Sequence, residues 1–475
     1  MPDPRALLRS RSYVGLLVVA AVLGVPVSAA AYGFLALVDY LQKEIFNHLP
    51  HGLGFQTTPV WWPLPVLAVG GIIAAAAIKF LPGDGGPSPA GGFKMHGAPT
   101  PAQLPGVILA ALATLIFGAV LGPEMPLILL GGGLVLVVLK LARREVPEQG
   151  QRVLASAGSF ASISTLMGSP ILGAFLIMEA SGLGGPMMGV VLVPGLLAAG
   201  IGTLVFVGLD AWTGLGTFSL AIPGLPHFSR PDVAEFGWAV AIGVVAPFVG
   251  WGIRWLGRSL HTYAERQPLL VIPLAGLAVA GLAIGYAEAT GKGTDDVLFS
   301  GQTALSPLIQ NAGSYTVGTL VLLVLCKGLA YGISLGSFRG GPIFPALFVG
   351  AAGGIALSHL PGLPLVPALA IGLGAMSVVM LTLPLTSVLL ATLLLFSDGL
   401  AVTPLVIVAV VVAYVISARI EPADDTEATA ATEAGTRADA ETSPAADEAA
   451  RPPGRHRSPA TGDGDPVQTR SDRTQ

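Results

Sequence analysis

The chain is built on apolar segments that keep stopping short. They lie near residues 13–38, 59–81, 104–121, 126–142, 151–167, 170–183, 186–208, 234–257, 268–288, 316–335, 343–357, 364–381, 384–397 and 402–418. A helix needs about 20 apolar residues to cross a bilayer. Several of these segments are shorter, and glycine and proline interrupt them. Backbone that leaves the helix inside a membrane must be buried in protein or line a cavity, because no water is present to satisfy its N–H and C=O groups. The pattern therefore predicts an all-α polytopic membrane protein of short, tilted and re-entrant helices around a central site, as in transporters and channels.

Charge agrees. Of 475 residues, 53% are hydrophobic and 11% charged, where soluble chains carry about a quarter. The chain holds 28 acidic and 24 basic residues; 12 and 6 of them fall in 421–475, leaving 16 and 18 over residues 1–420. The polar tail 421–475 has almost no large apolar residue and is expected to be disordered. A net charge of −4 without a basic stripe excludes a nucleic-acid partner. One cysteine, Cys326, excludes a disulfide framework, and the seven histidines form no metal-ligating pattern. With no Walker A, dinucleotide or hydrolase motif, neither a cofactor nor a metal is expected, and an ATP-driven pump is disfavoured. A lipid-modifying membrane enzyme would need clustered His, Asp or Arg at one membrane face, which the sequence does not offer; lipid is expected only as the surroundings.

Arg5, Arg9 and Arg11 place residues 1–12 in the cytoplasm by the positive-inside rule. The segment from Tyr13 to Val38 has small residues at Val27-Ser28-Ala29-Ala30 that suit a signal peptide. At 26 residues it exceeds the roughly 7–15 of a signal core, so it reads as a retained span. Arg419 closes the last span, which puts the C-terminus in the cytoplasm too. The membrane domain is then 13–420, in the plasma membrane.

The sequence repeats itself. Gly122-Pro123-Glu124-Met125-Pro126 and Gly341-Pro342-Ile343-Phe344-Pro345 both open a G-P-x-x-P-x-x-x-x-G pattern. Gly158-x-x-Ala161 precedes Pro170 by 12 residues, and Gly372-x-x-Ala375 precedes Pro384 by 12. A weaker pair, Gly83-x-Gly85 and Gly291-x-Gly293, comes before both. Three matches in one order suggest two homologous halves, about 60–210 and 270–418. Transporter halves of this kind often have inverted topology, with the substrate between them.

Each G-P-x-x-P suits a helix start, where proline is tolerated and glycine lets backbone approach a ligand. Free N–H groups and the positive end of the helix dipole make such starts anion sites; the plainer reading is a packing kink. Arg339 would add positive potential at a mouth of the pathway. Glu124 lies inside the first motif between apolar runs, where its carboxylate would compete with an anion when ionised and swing away when protonated. A water-facing loop acid is the alternative. Glu179 ends the apolar run from Pro170 and reads as a second proton station or an interfacial helix-end acid. Asp84, in Gly83-Asp84-Gly85-Gly86-Pro87, is a natural N-cap of a helix-entry loop, yet as an anion-site neighbour it would repel the substrate. Lys327, within an apolar run, is expected either to pair with an acid or, the plainer reading, to snorkel to an interface.

These residues resemble the CLC family of chloride channels and chloride/proton antiporters. The 83–87 loop is similar to the family's G-S-G-I-P, the 122–126 motif to G-[KR]-E-G-P, and Gly340 to Pro345 to G-x-F-x-P. Gly168 to Gly173 resembles the segment before the family's internal proton glutamate, which falls on Glu179, and Leu383-Pro384-Leu385-Thr386 resembles its counterpart in the second half. The resemblance spans roughly 60–405. It implies two inverted-topology repeats, a homodimer with one pathway per subunit, Glu124 as the external gating glutamate, and an anion site lined by Asp84, Gly85, Met125, Pro126, Leu127, Ile343, Phe344 and Pro345. It further implies chloride or a related small anion exchanged for protons, or a passive voltage- or pH-gated chloride channel, or an anion pathway of altered selectivity. The chain departs from the family at several points. Asp84 replaces the central serine, Pro123 the basic residue before the glutamate, and Met125 the following glycine. The phenylalanine shifts to Phe344, and the closing tyrosine would fall near Asp425, where none stands.

Overall fold

The computed structural model describes residues 9–95, 97–143, 146–182, 186–214, 222, 225–395 and 399–420. In chain order the helices are α1 (Arg11–Lys43), α2 (Pro63–Phe80), α3 (Leu104–Ile116), α4 (Glu124–Leu141), α5 (Glu148–Met167), α6 (Pro170–Ala180), α7 (Pro186–Thr213), α8 (Val233–Arg266), α9 (Pro268–Thr290), α10 (Gln302–Gln310), α11 (Val317–Ser337), α12 (Ile343–Leu357), α13 (Leu365–Leu381), α14 (Pro384–Leu394) and α15 (Gly399–Ile420). Among the described residues eight are long and apolar enough to cross a membrane: α1, α2, α4, α7, α8, α9, α11 and α15. The protein is a multi-pass integral membrane protein. The short apolar helices α3, α6, α12, α13 and α14 are the broken segments of the sequence.

Local chemistry explains where the helices begin and end. Proline opens α2, α6, α9 and α14, where its missing N–H costs nothing. Asp232 and Glu235 form a reciprocal capping box at the start of α8. Left-handed Gly168 and Gly291 close α5 and α9. The segment 13–38 lies within one helix, α1, which contains Pro26 in its interior. The tail 421–475 and the first eight residues fall outside the described residues, and so does the expectation of disorder in the tail.

The repeated glycines have a packing role. α4 meets α5 where Gly131 faces Gly158, and α12 meets α13 where Gly350 faces Gly372. A Cβ on any of the four would run into the backbone of its partner. So the same small pair brings the backbones together after each G-P-x-x-P motif, as expected where helices pack without a hydrophobic driving force.

The 83–87 loop differs from expectation. No α-helix follows it until α3, and the short 3₁₀ turn Pro89–Gly91 is capped by Ser88, not Asp84. Gly83, Asp84, Gly85 and Gly86 all have positive φ, at 89°, 51°, 70° and 90°. Such a left-handed run is open to glycine and tolerated by aspartate, and it turns the chain where a helix would otherwise start.

Candidate functional site

Two helix starts meet head to head in the core. Gly122 and Gly341 exchange backbone hydrogen bonds as an isolated antiparallel bridge, N–H to O=C at 2.7 and 2.6 Å. Two residues on, each chain enters a helix. Pro123 and Pro342 are the N-cap residues, and Glu124 and Ile343 the first helical ones. The Glu124 side chain is fully buried and crosses to the other helix. Its Oε1 accepts the Phe344 N–H at 2.8 Å, and the N–H groups of Glu124 and Ile343 also lie against the carboxylate. Its Oε2 is buried without a partner. A Cβ on Gly122 or on Gly341 would collide with this carboxylate, so the glycines are what admit it. A buried carboxylate is costly unless hydrogen-bonded; here the positive end of α12 supplies the compensation.

The two starts are not equivalent. On α4 the first intrahelical bond is normal, with the Leu127 N–H donating to the Pro123 carbonyl at 2.9 Å. On α12 the corresponding bond, from the Ala346 N–H to the Pro342 carbonyl, is long at 3.4 Å. The same carbonyl accepts the hydroxyl of buried Tyr331 at 2.7 Å. This narrows the donor set expected from the sequence. Pro126 and Pro345 have no N–H to offer, and that of Leu127 is committed to its own helix. Met125, Ile343 and Phe344 remain, with Met125 and Phe344 at matching second positions.

Glu179 makes a similar crossing. It stands near the end of α6, partly buried, and accepts from the N–H groups of Leu385 at 2.9 Å and Thr386 at 2.7 Å, and from the Thr386 hydroxyl at 2.6 Å. It thus caps the start of α14 from another helix. Glu124 and Glu179 are not in contact with each other through any of these bonds; each holds a separate helix N-terminus.

Asp84 borders a cavity. Its side chain is exposed and lines a polar cavity of about 570 Å³ with Lys79, His261, Glu265, Arg266 and Arg339. Buried Gly85 packs beneath, where a Cβ would press on Ile78, Ala110 and Arg339. The Arg339 guanidinium donates to the carbonyls of Asp84 at 3.3 Å, Gly86 at 3.0 Å and Phe338 at 3.3 Å. It therefore pins the left-handed loop to the link before α12.

Lys327 does not snorkel. It is fully buried, and its ammonium donates to the carbonyls of Asp296, Val297, Leu298 and Phe299 at 3.0–3.3 Å, with the Phe348 ring 4.2 Å away. Four converging acceptors outweigh the route to water. The cage fixes the turn after α9, and Phe299 in turn donates to Gly118 just before the bridge.

A family model described as voltage gated chloride channel matches residues 66–418. The chain belongs to that family. A protein named "Putative ion-transport protein YfeO" from Salmonella paratyphi A is 28% identical over 356 residues, covering 72% of this chain and 80% of its own. The crystal structure of a slow cyanobacterial Cl⁻/H⁺ antiporter matches with a TM-score of 0.67 at 20% identity, over 84% of this chain and 94% of that one. A CLC-type fluoride/proton antiporter matches at 0.62 and 21%, over 85% and 95%. These likenesses establish the CLC fold. Within that fold, sequence reasoning missed Tyr331: its neighbours Ala330 and Gly332 are small, and nothing near it in sequence marks its carbonyl partner eleven residues on. The closing tyrosine position near Asp425 lies outside the described residues.

Proposed function

We propose that this member of the voltage-gated chloride channel family exchanges a small anion, chloride or a related halide, for protons, with Glu124 as the gate. The observation that carries this is the buried Glu124 carboxylate resting on the N-terminus of α12, the place an anion of the same charge would take. Protonation removes the charge that holds it there and frees the Phe344 N–H for the anion. Glu179, on its separate helix start, serves as the inner proton station, so protons and anion part company between the two acids. Met125, Ile343 and Phe344 line the anion seat. The antiparallel Gly122–Gly341 bridge joins equivalent positions of the two motifs, which supports inverted halves at about 60–210 and 270–418. The protein works as a homodimer in the cell membrane with both termini cytoplasmic, and it performs no covalent chemistry.

Purified protein in chloride-loaded liposomes tests this. Chloride efflux should drive opposing proton movement, recorded in parallel with pH- and chloride-sensitive electrodes. Efflux without proton movement leaves a passive anion pathway; no efflux for chloride, bromide, nitrate or fluoride removes anion transport.

A further inference from the structure

We infer that Tyr331 is a positioning residue of the anion seat: by holding the N-cap carbonyl of α12 it releases the Ala346 N–H as an additional donor to the anion. The inference rests on the anion-transport reading and adds a residue to it.

In an α-helix the N-cap carbonyl accepts the first intrahelical bond, and the N–H groups before that bond have no partner in the helix. On α4 this rule is obeyed, since the Leu127 N–H donates to Pro123 at 2.9 Å. On α12 the equivalent bond is stretched to 3.4 Å, while the Tyr331 hydroxyl takes the carbonyl at 2.7 Å. A carbonyl oxygen can accept two bonds, and here the tyrosine holds the short one while the Ala346 N–H keeps a long, weak one. Tyr331 is fully buried on α11, so water does not compete for its hydroxyl. It lies within electrostatic range of Glu124, which places the clamp beside the seat. Pro345 contributes no N–H, so Ala346 is the next donor after Phe344. With the Phe344 N–H bonded to Glu124, the Ile343 N–H lying against the same carboxylate and Glu124 Oε2 unpartnered, the first donors of α12 are taken by the gate and that of Ala346 is loosely held. When the gate leaves, all of them are available. The sequence difference between the two motifs does not create this; the tyrosine from α11 does.

The measurement is chloride binding by isothermal titration calorimetry, in the Glu124→Gln background where the gate does not compete through charge. Adding Tyr331→Phe should weaken chloride binding on the order of ten-fold, as for loss of one hydrogen bond to a charged group. Proton dependence of transport in Tyr331→Phe with Glu124 intact should keep its form, because Phe344 still binds the gate. Chloride affinity unchanged by Tyr331→Phe overturns the inference. Absence of chloride binding in Glu124→Gln alone instead overturns the anion-transport reading. If Tyr331→Phe does not fold, the amide nitrogen of Ala346 in the otherwise native Glu124→Gln protein in nanodiscs decides: its NMR shift must move on chloride titration, and a stationary shift overturns the inference.

Discussion

The starts of α4 and α12 share glycine, proline and spacing, yet they do opposite things. α4 supplies an acid, Glu124, and closes its own first turn. α12 has Ile343 at the matching position, keeps its first turn loose, and receives that acid. The same division recurs at α6 and α14. Glu179 stands on α6, Leu393 holds the matching place on α14, and the N-terminus of α14 accepts the carboxylate. At both meetings the earlier segment gives the negative group and the later one the helix end. Two similar pieces of chain become a site because one lost its acids and the other kept its first-turn bond. Charge can then be moved by protonating one partner while the other stays fixed.

The comparison breaks most completely at Glu124. Glu124→Gln keeps the shape and removes the charge, so proton movement should vanish and anion flux should continue without its rise toward low pH. Flux across a pH series in liposomes checks this, and an unchanged profile would remove Glu124 from the gate. Gly341→Ala sharpens the contact between the two starts. Its Cβ meets the Glu124 carboxylate, and overpacking of this kind costs about 2 kcal/mol. Adding Glu124→Ala should restore most of that loss in thermal or denaturant melting, which isolates the collision. Glu179→Ala removes three hydrogen bonds at α14 and should cost roughly 2 kcal/mol. Glu179→Gln should recover about half of the stability and none of the proton coupling. A variant that recovers both would make Glu179 a cap and nothing more. Asp84→Asn stands at the small end. The residue is exposed and asparagine accepts its left-handed backbone, so stability should change by less than ~0.5 kcal/mol, and halide binding should rise only if the carboxylate faces the anion.

Much of the fold was legible because it is written in local terms. Proline and glycine mark the breaks, and the glycines at 131, 158, 350 and 372 recur as a repeat, while their close packing is shown by the fold. Glu124 stood out because acids are rare between apolar runs. What the sequence hid were bonds between distant residues. Lys327 looked like a snorkelling side chain because its four carbonyl partners belong to backbone 28–31 residues away and have no side-chain signature. Asp84 looked like a cap because N-capping chemistry is a property of residue type, whereas the left-handed run that prevents it is a property of four glycine-rich torsions together. Tyr331 was silent because its function lies in the carbonyl it holds. Pro126 and Pro345 were expected to line the anion site, although neither has an N–H to give it; with them removed the donors are few enough for one tyrosine to matter.

The paired glycines at the centre also constrain how the molecule can move. Both hydrogen bonds of the Gly122–Gly341 link join buried residues, so a motion that pulled Gly122 from Gly341 would leave buried backbone groups unpaired at a cost. Rocking on the scale seen in many carriers would expose two backbone donors and two acceptors at once. A swing of the Glu124 side chain alone leaves both bonds in place. A disulfide or other rigid crosslink placed across the halves away from this point should leave turnover nearly intact.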